Sequence, residues 1–185
     1  MRSTRAVQSG LEGYFRDPLF IRMPEHRILI PETRDRSLLY DALVPQVHEL
    51  LRDEPDPVAA MANMAAALRE TFGWHWIGFY RVLGDELVLG PFQGPVACGR
   101  IPFGKGVCGK AWAENRILTV DDVDQFPGHI ACSALSRSEI VVPIHGRSGS
   151  VAAVLDIDSS ALADFSEVDA HHLQQLSALI APLLG

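Results

Sequence analysis

The chain changes hydrophobic period at Gly73, and that switch limits its fold more than any other feature. Before it, Leu38, Leu39, Leu43, Val47, Leu50 and Leu51 recur at helical spacing, with Pro45 expected to kink the helix. Asp53 to Pro57 interrupt the pattern. Pro57 suits the first turn of a second helix, whose alanines and Met61, Met64 and Leu68 form a close-packing face ending before Gly73. After Gly73, the residues Trp76, Ile77, Phe79, Tyr80 and Val82 read as a strand, and Gly84-Asp85 turns it back antiparallel into Glu86 to Leu89.

The stretch from Gly90 to Trp112 is too rich in glycine and proline for regular structure, apart from a strand at Arg100 to Phe103 and a short helix from Val107 to Glu114. Ile117 to Val120 reads as a strand, Asp121 to Gln125 as a polar turn, and Phe126 to His129 as a loop delivering Cys132. Strands at Glu139 to Ile144 and Ser150 to Ile157 follow, joined by a polar hairpin. Ser166 with Asp169 is a capping box for a final helix striped with Val168, Leu173, Leu176, Ile180 and Leu183, and His171 and His172 are expected on its surface. Helix, helix, antiparallel strands, helix is an α+β order: a central antiparallel β-sheet with helices packed on it. Residues 1–36 have neither period and read as an N-terminal extension, in which Ile28 to Pro31 is expected to pair as a short edge element.

Composition bears on the thiols. At 185 residues and 48% hydrophobic the chain supports one core, and no apolar run suggests a signal segment or a membrane span. A reducing cytoplasm is the expected location. There, clustered thiols are more often catalytic, redox-sensing or metal-binding than structural, and Cys98, Cys108 and Cys132 are the only cysteines. Cys108 falls near the start of the predicted short helix, where the helix dipole would favour its thiolate. The three cysteines with His129 would make a Cys₃His zinc set, but the CxxC clusters of such sites are missing, so no metal or other cofactor is expected. A net charge of −7 speaks against nucleic acid and for a small solute or a protein reductant as partner. The two lysines, Lys105 and Lys110, flank Cys108 and read first as a solvated turn.

Six ordered strings carry a family resemblance: WIGFY from Trp76, GPFQGPVAC from Gly90, GKGVCGKAW from Gly104, FPGHIAC from Phe126, SEIVVPI from Ser138 and LDIDS from Leu155. Together they resemble the free methionine-(R)-sulfoxide reductase family, a GAF-domain family, which makes residues 37–185 the GAF domain. The resemblance implies a thiol-dependent reduction of free L-methionine-(R)-sulfoxide through a cysteine sulfenic acid and an intramolecular disulfide, with thioredoxin as the recycling reductant. It assigns the nucleophile to Cys132 and a disulfide partner to Cys98. Cys108 is then a second resolving thiol, or the nucleophile in a competing assignment. It places Glu139, Asp156 and Asp158 around the substrate's ammonium and sulfoxide oxygen, Glu139 being also a catalytic acid, and Trp76 and Tyr80 as an aromatic wall. Both aromatic residues fall on one side of their strand, as such a wall requires. GAF domains commonly pair through helices, so a homodimer is expected.

The sequence departs from the family pattern once, with Ser133 where an aspartate should follow the third cysteine. Losing that carboxylate eases ionisation of Cys132 and removes a candidate substrate contact. The competing reading is a non-catalytic GAF module that binds a small ligand or senses redox state. Such a module has no need of three thiols in these contexts.

Overall fold

The computed structural model describes residues 27–130 and 132–185. Two helices, α1 (Arg36–Leu51) and α2 (Pro57–Phe72), precede strands β1 (Trp76–Leu83), β2 (Glu86–Gln93) and β3 (Arg100–Pro102). Helix α3 (Gly106–Glu114) then leads to β4 (Leu118–Val120), β5 (Ser138–His145), β6 (Val151–Ser159) and α4 (Glu167–Ile180). The strands form one antiparallel sheet in the order β3-β2-β1-β6-β5-β4, the α+β architecture expected.

Local chemistry sets the helix ends. The Asp35 carboxylate accepts from the amides of Ser37 and Leu38, and that of Asp56 accepts from Val58 and Ala59. Each such cap is worth about 1 kcal/mol. Gly73 ends α2 in the left-handed region, at φ 68°, where a side chain would be strained. Pro45 lies inside α1 without ending it. Leu38 keeps helical spacing yet faces solvent, and Tyr40 takes its place in the core.

The stretch from Ile28 to Pro31 does not join the sheet, contrary to expectation. Gln46 of α1 satisfies its backbone instead: Oε1 accepts from the Leu29 amide at 2.8 Å, and Nε2 donates to the Leu29 carbonyl at 2.9 Å. Most of the proposed extension, residues 1–26, lies outside the described residues.

Successive strand residues serve opposite layers. On one face, Ile77, Phe79, Ile140, Val142, Leu155 and Ile157 pack with α1, α2 and α4 into the main core. On the other, Trp76, Tyr80, Val141 and Val154 pack with Val107, Cys108 and Ala111 of α3. Asp169, from the capping box of α4, is 1% exposed and ties α4 to α1 by accepting from Tyr40 Oη at 3.0 Å and Arg36 at 2.9 Å. His171 is exposed as expected. His172 instead stacks on Tyr40, ring centroids 4.6 Å apart, and is half-buried.

Candidate active site

Strand register assembles a pocket on the α3 side of the sheet. Glu139 of β5 pairs with Asp158 of β6, and β1 runs along the other edge of β6 with Trp76 opposite Asp158 and Gly78 opposite Asp156. Since residues two apart share a face, Glu139, Asp156 and Asp158 converge on one patch, with Trp76 and Tyr80 beside it. The two aromatic rings stack with centroids 5.9 Å apart. Polar tips fix both rings: Trp76 Nε1 donates to the Pro95 carbonyl at 3.1 Å, and Tyr80 Oη donates to that of Cys98 at 3.0 Å.

The thiols close the pocket. Cys98 and Cys132 are joined as a disulfide, while Cys108 stays free and buried, its Sγ 3.8 Å from Glu139 Oε1. Cys132 and Cys108 line the cavity and Cys98 does not. Every site residue proposed from the sequence therefore lies in or against this one pocket, Cys98 through its bond to Cys132. A Cys₃His metal set cannot form in this state, because two of its sulfurs are bonded to each other.

Two histidines were missed or misread. His129, weighed only as a zinc ligand, lines the pocket with Nε2 3.8 Å from Glu139 Oε2. Its signal was the short spacing to Cys132 in the FPGHIAC string. His75, adjoining Trp76, lies outside every motif of the sequence, and its Nε2 lies 3.0 Å from Ser133 Oγ. That hydroxyl also accepts from the Leu135 amide at 3.2 Å. At the position where the resemblance implies an aspartate, a hydroxyl thus links the Cys132 loop to the start of β1.

Comparison with known proteins gives this arrangement its context. A GAF-domain family model matches residues 54–184. GAF domain-containing protein A of Dictyostelium discoideum is 51% identical over 76% of this chain and 89% of its own length. The free methionine-R-sulfoxide reductase of Escherichia coli is 42% identical over 82% of this chain and 92% of its own. The crystal structure of free methionine-R-sulfoxide reductase from Neisseria meningitidis, in complex with its substrate, superimposes with a TM-score of 0.82 at 52% identity, covering 84% of this chain and 93% of that one. The chain belongs to the free methionine-R-sulfoxide reductase family.

A pocket of this family must handle protons as well as sulfur, and the electrostatics here favour keeping protons on. Burial, reinforced by Asp156 and Asp158, pushes the Glu139 carboxyl well above the usual range. Burial and Asp158 do the same to Asp156, and burial lifts Asp158 to about 6. The Cys108 thiol is raised by burial, then by Asp156 and Glu139. This overturns the expectation that its place near the start of α3 would make it a ready thiolate, because desolvation beside two carboxyls outweighs a helix dipole. Burial pushes His129 the other way, toward its neutral form. Among the described residues no helix is long and apolar enough to cross a membrane.

Proposed function

We propose that this protein reduces free L-methionine-(R)-sulfoxide to L-methionine, cycling between a dithiol and the Cys98–Cys132 disulfide. The observation that carries the reading is that disulfide at the rim of a pocket lined by three carboxyls and two stacked aromatic rings.

The Cys132 thiolate takes the sulfoxide oxygen while neutral Glu139 protonates it, giving methionine and a Cys132 sulfenic acid. The Cys98 thiol then attacks the Cys132 sulfur and the hydroxyl leaves as water, so two thiol hydrogens and the sulfoxide oxygen end as one water. Cys132 is favoured as nucleophile because it lines the cavity and is free of the burial that holds Cys108 protonated. Asp158, ionised above about pH 6, receives the substrate ammonium with the Asp156 carboxyl beside it, and Trp76 and Tyr80 contact the methyl and thioether carbons. An amide nitrogen carries no charge for the carboxylates to bind, so peptide-bound methionine sulfoxide is rejected.

Thioredoxin is the recycling reductant in this reading, and the cytoplasm, with its supply of reduced thioredoxin, is the setting. Residues 37–185 act as the catalytic GAF domain and residues 1–36 as an appendage. The half-exposed Leu38 and Val58 on α1 and α2 offer apolar surface for a homodimer.

The test is methionine formation from separated R and S epimers of free methionine sulfoxide, with dithiothreitol as reductant and the N-acetylated sulfoxide as control. Turnover of the free R epimer alone is expected. No turnover by folded, reduced protein would overturn the reading and favour a ligand-binding GAF module.

A further inference from the structure

We propose that the same pocket is a binding site for a thiophilic divalent cation of the zinc class, held by Cys108, Glu139, Asp156 and His129, and that cation and amino-acid substrate exclude each other. The exclusion rests on the substrate proposed above; the metal site does not.

The donor geometry comes first. Donor atoms of Cys108, Glu139 and Asp156 all lie within 4.8 Å of one another. Cys108 Sγ is 3.8 Å from Glu139 Oε1, and His129 Nε2 is 3.8 Å from Glu139 Oε2. Zinc bonds of about 2.3 Å to sulfur and about 2.0–2.2 Å to nitrogen or oxygen put tetrahedral donors roughly 3.3–3.8 Å apart. Side-chain shifts of up to about 1 Å bring Cys108, Glu139 and Asp156 to that spacing, and His129, already against Glu139, turns in as the fourth donor.

A separate observation points to a missing partner. Asp156 is 6% exposed and lines the cavity; its carboxyl sits against Cys108 and Glu139, yet its Oδ1 makes no hydrogen bond among the described residues. Buried carboxylate oxygens are ordinarily satisfied, since leaving one dry and unpaired is costly. Among the described residues the cavity wall holds three carboxyls and a thiol, with no lysine or arginine to stabilise their charged forms. A cation meets both needs. The cavity, of about 40 Å³, has room for an ion and a water even with the disulfide closed.

The donor types select the ion. A thiolate with one imidazole and carboxylate oxygens suits zinc and disfavours magnesium or calcium, which prefer all-oxygen shells. Binding would displace to solvent the protons that burial keeps on the Cys108 thiol and on the Glu139 and Asp156 carboxyls. Cys98 and Cys132 are spent in their disulfide, so the site persists in the oxidised protein, unlike a Cys₃His set.

The experiment uses the intact oxidised protein, in which Cys108 is the one free thiol. Titration with Co²⁺ is expected to bind one equivalent with a near-ultraviolet thiolate-to-cobalt charge-transfer band that Zn²⁺ abolishes by displacement. Cys108→Ala should lose the band, with Cys108→Ser as its replacement if the alanine variant does not fold. Loss of outer partners of metal ligands already weakens binding roughly 10–100-fold, so Asp156→Asn should weaken Zn²⁺ at least about 100-fold. Free methionine-(R)-sulfoxide should raise the apparent Zn²⁺ dissociation constant. Absence of the band in the wild type, its survival without Cys108, or unchanged Zn²⁺ affinity in Asp156→Asn overturns the site. Unchanged affinity in the presence of sulfoxide overturns the exclusion. No arm measures turnover, so failure of the reductase reading would leave the metal result standing, and the reverse.

Discussion

Gly78 lies opposite Asp156 across β1 and β6, and the space its missing side chain leaves is filled by the Trp76 indole. A Cβ there would stand 2.8 Å from Trp76 Cζ3 and 2.5 Å from Phe92 Cβ. Gly78→Ala should therefore push the indole into the pocket. Misplacing a substrate-positioning group by about 1 Å can reduce rate about 100-fold, and overpacking removes about 1–3 kcal/mol of stability. Steady-state kinetics beside a thermal melt check this: a fall in kcat/KM far beyond the loss of stability is expected.

The thiols should separate by the number of turnovers each variant completes. Cys132→Ser should form no methionine even in a single turnover. Cys98→Ser should yield about one equivalent per chain and then stop with thioredoxin. Rapid quenching of stoichiometric enzyme and sulfoxide reads both, and full single-turnover yield in Cys132→Ser would transfer the nucleophile role to Cys108.

Glu139→Gln removes a proton donor while keeping its shape. A positioned general acid contributes about 10²–10⁴-fold, so the rate of methionine formation should fall within that range. Because burial and its carboxyl neighbours keep Glu139 protonated above the usual carboxyl range, the wild-type rate should also fall as pH rises through its titration. Glu139→Gln should lack that alkaline limb, and a limb unchanged in the variant would assign it elsewhere.

Asp158 links stability to pH. Its pKa in the fold is about 6 against an ordinary 3.8, so its contribution to stability is complete below about 4 and is lost as pH rises through about 6. Asp158→Asn, which stays neutral, should match the wild type at pH ~4 and exceed it above pH ~6. Melting temperatures across that window check the crossover, and a constant offset would rule out the shift.

Arg36 reaches Asp164 at 2.6 Å and Asp169 at 2.9 Å, and its guanidinium lies 5.0 Å from the Trp74 ring centre. Arg36→Met leaves the buried Asp169 with only neutral partners, which should remove roughly 3 kcal/mol. Denaturant unfolding measures the loss, while activity of the folded fraction should be unchanged.

The fold was legible wherever one period ruled a segment. Gly73, Pro57 and the Ser166 capping box are read directly from local chemistry, and β1, β5 and β6 from their apolar runs between turn residues. The pocket was legible only through its motifs, because nothing local tells an exposed turn carboxylate at Asp156 from a buried one. Ile28 to Pro31 misled for the opposite reason: an apolar stretch has strand composition wherever it docks, and its partner, Gln46, is 17 residues from Leu29. The protonation of Cys108 was misread because a helix start can be seen in sequence, while the desolvation that overrides it belongs to the folded pocket. His75 meets Ser133 across 58 residues, a distance that no short pattern spans.

The alternation Leu155, Asp156, Ile157, Asp158 on β6 gives each neighbour a different client. Slipping that strand by one residue would drive two carboxylates into the oily layer and draw two aliphatic chains out of it, so a wrong alignment is penalised twice. Enzymatic competence then doubles as proofreading of the sheet. Conversely, the pocket side can be rewritten for another ligand while the helix-facing side stays untouched, which lets one scaffold serve many chemistries.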